Sequence, residues 1–320
     1  MEKQFLTIIA TIFLSLMGMT VALAQTCTAS ITNMNFGSVN LQAGGAVDTT
    51  ATLSVSCSSS LNLQLLMRLC PNLEAGSGGS SGSNRLMING TNTLTYQFYQ
   101  DANRTIPWGS STNATLGTVP AIDVIAPILG PGTATRTIYG RILGSQASKL
   151  AGTYLSNFSG GQARINYVRY LLGAPDCSTV VENPIQPTFT VQAIVNRSCT
   201  VSATNINFGS QSNLLVNVDA TGTLSVNCTL GLPYSIALNG GLSNAQPTQR
   251  RMTLGSNDAI VYGLYSNSAR TVPWGSAANQ IVPGTGTGTI QNVTVYGRVA
   301  PQTTPISGTY TDTVVVTINY

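Results

Sequence analysis

The 320-residue chain has no histidine, and only 8% of its residues are charged. The first absence removes the commonest general base and metal ligand. The second leaves too few acidic side chains to repeat at a catalytic spacing. Asp101, Asp123 and Asp258 stand singly among turn residues, so no catalytic residues, no metal site and no cofactor are expected, and the chain is not read as an enzyme. There is no Cys-x-x-Cys pair for redox or zinc chemistry. The formal charge of +4 comes from scattered cations with no basic run, which excludes nucleic acid as an expected partner. What is abundant is Gly, Ser, Thr and Asn beside 42% hydrophobic residues, a composition suited to short strands joined by turns.

One hydrophobic run stands out. Lys3, an apolar stretch from Phe5 to Val21 and Ala22-Leu23-Ala24 read as a secretory signal over 1–24, cut before Gln25. No later run is long enough for a bilayer, so no membrane span is expected in the mature chain. The six cysteines all follow that cut, and in an oxidising compartment an even count implies disulfides. Cys27 and Cys57 stand in the same sequence context as Cys199 and Cys228, giving one equivalent bridge per half. By elimination Cys70 meets Cys177, a pairing that sequence alone leaves open.

The chain repeats itself. Cys27–Ser38 (CTASITNMNFGS) answers Cys199–Ser210 (CTVSATNINFGS), and Leu94–Ser110 (LTYQFYQDANRTIPWGS) matches Ile260–Ser276 (IVYGLYSNSARTVPWGS) without a gap. Tyr139-Gly140-Arg141 returns as Tyr296-Gly297-Arg298, and Gly152-Thr153-Tyr154 as Gly308-Thr309-Tyr310. The expected fold is therefore all-β: two tandem immunoglobulin-like antiparallel sandwiches, over 25–197 and 198–320. Tyr96, Phe98 and Trp108, with Tyr262, Leu264 and Trp274, are expected in the two cores.

The Cys-x8-Phe-Gly opening, the second Cys after Thr-Leu-Ser-Val, the Tyr-x-Gly-Arg segment and the late Gly-Thr-Tyr strand resemble the spore coat protein U domain. Two such domains behind one signal resemble the tip adhesins of archaic, Csu-type chaperone-usher pili. That resemblance implies a fimbrial adhesin at the pilus tip, exported through the periplasm to the cell surface and active in attachment and biofilm formation. It implies a periplasmic pilus chaperone, an outer-membrane usher and an adjacent pilin subunit as partners.

The last residues point the same way. Tyr310–Tyr320 alternates, with Val314, Val316, Ile318 and Tyr320 on one face, and there the chain ends. After its own Ile165-Asn166-Tyr167 the first half continues to a further alternating strand, Thr188–Val195, with Phe189, Val191, Ala193 and Val195 inward. The second half is thus expected to lack its final strand and to accept one from a neighbour, with Val314, Val316, Ile318 and Tyr320 as the acceptor edge. With only Gln25 and Thr26 ahead of Cys27, the chain is expected to accept a strand but not to donate one.

The first half is expected to grip. Between Trp108 and Tyr139 lies Val119-Pro120-Ala121-Ile122-Asp123-Val124-Ile125-Ala126-Pro127-Ile128-Leu129, whose prolines argue for an apolar, turn-bounded loop over a central strand, one that either stands exposed as an interaction site or folds back to fill the core. With Tyr170, Leu171 and Leu172 it forms the expected surface-binding set: Val119, Pro120, Ile122, Val124, Ile125, Ile128, Leu129 and those three, directed at hydrophobic surfaces. The Gly/Ser tract in 71–83 reads as a flexible surface loop. Two other classes fit the composition: a carbohydrate-binding lectin and a structural coat protein.

Overall fold

A computed structural model describes residues 26–59, 64–255 and 258–320; the expected signal segment lies outside them. No α-helix occurs among the described residues, and none is long and apolar enough to cross a membrane. In chain order the first half supplies β1 (Thr26–Ile31), β2 (Met34–Val39), β3 (Val47–Ser58), β4 (Leu65–Leu73), β5 (Ser80–Ser81) and β6 (Asn84–Asn89). It continues with β7 (Asn92–Tyr99), β8 (Ile122–Ala126), β9 (Gly132–Ile142), β10 (Gly152–Phe158), β11 (Ala163–Tyr170) and β12 (Phe189–Val195). The second half supplies β13 (Cys199–Ala203), β14 (Val218–Cys228), β15 (Pro233–Leu238), β16 (Arg250–Leu254), β17 (Asp258–Tyr265), β18 (Val282–Thr285), β19 (Ile290–Val299) and β20 (Val316–Asn319).

Period-2 alternation decides which face each strand buries. In β3, Ala51, Leu53, Val55 and Cys57 turn inward while the Thr and Ser between them face out. Two sheets then cover one core per half. The first half packs β1-β3-β9-β7-β6-β10-β12-β2 against β11-β4-β8, and the second packs β13-β14-β19-β17-β16 against β18-β15-β20. The expected core residues are all buried, and Phe158 stacks on Phe189 at 4.4 Å in the first core. All three disulfides join the expected partners, Cys27–Cys57, Cys70–Cys177 and Cys199–Cys228.

The repeated motifs do repeated work. Asp48 on β3 takes the guanidinium of Arg141 from the Tyr-Gly-Arg segment at 2.7 Å, and Arg104 completes the group while lying over the Tyr139 ring. Asp219, Arg298, Arg270 and Tyr296 copy it in the second half. The hydrogen bonds from Arg141 and Arg298 hold the Asp48 and Asp219 carboxyls below the usual carboxylate range. The intervening glycine is required for a different reason: a Cβ at Gly140 would strike Met34, and one at Gly297 would strike Phe208.

A buried arginine in each half has no hydrophobic pattern to announce it. Arg85 donates to the carbonyls of Glu74, Leu73 and Trp108 and to the Gln97 side chain, while Arg250 serves Asn239, Pro247, Leu238 and Trp274. Burial pulls the Arg85 guanidinium down to about 10, so it stays charged at neutral pH. Each carbonyl left without a donor costs about 1–3 kcal/mol. Arg85→Met is therefore expected to destabilise the first half by about 3–5 kcal/mol, read as a lower denaturant midpoint at unchanged slope.

Two expectations are corrected. Ile122–Ala126 is a strand, not a loop: it pairs antiparallel with β4 at the sheet's edge, and Pro120 and Pro127 flank it where no ladder amide is needed. The tract in 71–83 is not a free loop either. Pro71–Leu73 extends β4 into the core, Ser80–Ser81 pairs with β6, and the close approach of Gly78 to the Leu86 carbonyl leaves no space for a Cβ.

Candidate functional site

Two features distinguish the halves, and both follow from where strands are present or absent. In the first half β12 lies between β10 and β2. It runs antiparallel to β10, pairing Phe189 with Phe158, Val191 with Ser156, Ala193 with Tyr154 and Val195 with Gly152, and parallel to β2 through Val191 and Met34. Its inward residues Phe189, Val191, Ala193 and Val195 are all buried, as the alternation predicts.

The counterparts of β10 and β2 in the second half are residues 308–314 and 206–210. Among the described residues no strand lies between them; a groove of about 490 Å3 does. Ile206, Phe208, Met252, Tyr262, Val314 and Val316 are among its lining residues. Met34, Phe36, Met87 and Phe158 are buried beneath β12, whereas their equivalents Ile206, Phe208, Met252 and Val314 are only half-buried. The backbone tells the same story. Thr311 exchanges both hydrogen bonds with Thr253 on β16, as Leu155 pairs with Ile88 in the first half. A strand residue's amide and carbonyl point to the same side, so those of Tyr310 and Asp312 point the other way, into the groove. They have no backbone partner among the described residues. At the start of this edge Tyr310 Oη donates to the Ile306 carbonyl, as Tyr154 Oη does to Leu150 in the first half.

This geometry relocates the expected acceptor edge. Val314 and Val316 line the groove, but Ile318 packs into the second core from β20, which pairs with β15 in the opposite sheet, and Tyr320 is 60% exposed outside the groove lining. The chain crosses from one sheet to the other between Val314 and Val316, so the vacancy borders the segment before the last strand. The alternation was real, but it spans that crossing.

The second feature is at one end of the first half. Tyr170, Leu66 and Ile125 form one row across β11-β4-β8, so the segments after Tyr170 and after Ala126 leave the sheet at the same end. Leu129 is 87% and Leu172 95% exposed, and Ile125, Ile128 and Leu171 are also exposed. The rest of the expected set is not. Ile122, Val124 and Pro120 are buried, Val119 packs partly buried beside the Cys70–Cys177 bridge, and Tyr170 is half-buried. Alternation on β8 accounts for the split, since Ile122, Val124 and Ala126 point inward and Ile125 points out. β9 starts at this end, with Gly132 against the Ile125 carbonyl, and past its far end Leu150 bridges to Leu230 of the second half. The apolar end is thus opposite the contact between halves.

Arg68 braces that end, a role its sequence context did not signal. It forms a two-pronged ion pair with Asp123 on β8 at 2.7–2.8 Å, donates to the Pro175 carbonyl of the loop after β11, and lies over the Tyr170 ring. The Cys70–Cys177 bridge pins the same loop to β4, with Val180 buried against it. No group of three potential metal ligands occurs among the described residues.

The family model for the Spore Coat Protein U domain matches residues 13–159 and again 185–317. Protein U of Myxococcus xanthus is 38% identical over 127 residues, covering 36% of this chain and 71% of that protein. Among solved structures, a chain of the CsuC–CsuE chaperone–tip adhesion subunit pre-assembly complex, from the archaic chaperone-usher Csu pili of Acinetobacter baumannii, is similar in fold. Its TM-score is 0.54 at 17% identity, over 92% of this chain and 100% of that one.

Proposed function

This chain belongs to the Spore Coat Protein U domain family, and within that family we propose that it is a pilus-tip adhesin, gripping surfaces with its first half and anchored through its second. The observation that carries the proposal is the groove between residues 206–210 and 308–314. Exposed apolar walls beside unpaired backbone groups are a state that folded proteins close or assign to a partner. The first half closes its equivalent with β12. In the second, an extended segment of an adjacent pilin subunit takes that place, antiparallel to 308–314 and parallel to 206–210, supplying both the ladder and the inward side chains. A periplasmic chaperone holds the groove before assembly at the outer-membrane usher.

The apolar end then faces outward. Ile125, Ile128, Leu129, Leu171 and Leu172 present aliphatic surface on a frame stiffened by Arg68 and the Cys70–Cys177 bridge, and each is worth about 1.5–3 kcal/mol on full burial. Attachment of this kind needs no shaped pocket and supports biofilm formation on hydrophobic material. Immunogold labelling with antibody against the chain is expected to decorate fibre ends. Label along the shaft would reject the tip position and favour a structural subunit, the second reading, which the similarity to a spore coat protein U domain keeps in view.

A further inference from the structure

The groove is not uniformly apolar. On β10, Tyr154, Ser156 and Phe158 face inward, and Ser156 is fully buried opposite Val191 of β12. The ungapped match of Gly152-Thr153-Tyr154 to Gly308-Thr309-Tyr310 places Asp312 at the position of Ser156. The structure agrees, because the same turn abuts both side chains: a Cβ at Gly76 would meet Ser156, and one at Gly241, at φ +72°, would meet the Asp312 carboxylate. An inward-facing carboxylate thus lines the groove where the first half has a hydroxyl.

We infer that Asp312 makes the groove selective: the incoming strand carries a neutral hydrogen-bond donor, Ser, Thr, Asn or Gln, where β12 carries Val191. This rests on the reading of the groove as a strand acceptor. The carboxylate accepts from the Leu242 amide at 2.8 Å, the Thr313 amide at 2.8 Å and Tyr262 Oη at 2.7 Å. A carboxylate has about four acceptor sites, so one is left for water while the groove is open. A seated strand expels that water, and an aliphatic side chain there leaves a charged oxygen short of a partner, whereas a hydroxyl or amide replaces it. A cation is not called for, because the buried Arg250 guanidinium already sits near enough to be stabilised by Asp312. Glu74 has that relation to Arg85 in the first half, and its equivalent in the second half is the neutral Asn239.

A purely structural role for Asp312, as counter-ion to Arg250, predicts no such selectivity, and peptides separate the two. Three peptides built on Thr188–Val195, with Val, Thr or Lys at the Val191 position, are titrated against the full-length protein by fluorescence anisotropy. The Thr peptide is expected to bind about tenfold tighter than the Val peptide, and the Lys peptide no better than Thr. In Asp312→Ser the preference for Thr is expected to vanish, and in Asp312→Asn, which keeps the shape and loses the charge, to fall below about threefold. Equal binding of Val and Thr by the native protein, tightest binding of Lys, or a preference that survives in both variants overturns the inference while leaving the acceptor groove standing. Binding of none of the three overturns the acceptor reading and this inference with it.

Discussion

An extended peptide patterned on Thr188–Val195 raises the melting midpoint of the second half by about 5–10 °C and leaves that of the first half where it was. The magnitude follows from linkage. A ligand at about one hundred times its Kd adds roughly 2.7 kcal/mol to the state that binds it, and in a unit of this size each kcal/mol moves the midpoint by a few degrees. The asymmetry follows from the fold, because β12 already occupies the equivalent slot between β10 and β2. Without peptide, the half-buried Ile206, Phe208, Met252 and Val314 form an apolar patch of the kind that drives association, and the purified chain is expected to aggregate with rising concentration. Calorimetry with and without peptide reads both effects. An unchanged second midpoint at saturating peptide would remove the basis for anchoring through this groove.

Replacing Ile125, Ile128, Leu129, Leu171 and Leu172 together by Ser is expected to abolish attachment to hydrophobic plastic with normal piliation and a melting temperature changed by no more than a degree or two. Leu129, Leu171 and Leu172 lie largely in solvent and Ile125 and Ile128 are about half exposed, so their removal loses limited burial within the protein. Up to several kcal/mol of contact with a surface goes with them. Ile122→Ser is the informative control. Ile122 is buried in β8 opposite Leu69, and a hydroxyl there is expected to cost about 2–4 kcal/mol of stability and to lose attachment only through misfolding. Retained attachment in the fivefold variant, with the protein displayed at its usual level, would move the gripping surface elsewhere.

Much of this was legible in the residues because it rested on repetition or alternation. The two copies of Cys-x8-Phe-Gly and of Arg-Thr-x-Pro-Trp-Gly fixed the division into similar sandwiches. Alternation in 188–195 identified β12 and its inward face. What escaped was decided by tertiary position. Pro120 and Pro127 argued against a strand over 119–129 but are its boundaries, because β8 lies at a sheet edge. The run 310–320 alternates throughout yet crosses between sheets, so the alternation places Ile318 and Tyr320 on an edge they do not form. Arg85, Arg250, Arg68 and Asp312 are single polar residues with no local period. Apart from Pro247 for Arg250 and Thr313 for Asp312, their hydrogen-bond partners lie at least eleven residues away along the chain, and only the folded arrangement brings them together.

The join between the halves has a mechanical consequence. β12 ends at Val195 and β13 begins at Cys199, with only Asn196-Arg197-Ser198 between them. Tension applied between a held first half and the second enters β12 along its own axis, while the ladders to β10 and β2 run on either side of it. Those hydrogen bonds are sheared together and cannot be unzipped one at a time, and the packing of Phe189 against Phe158 resists the same displacement. The strand that seals the first core is thus also the tether that carries the load between the halves.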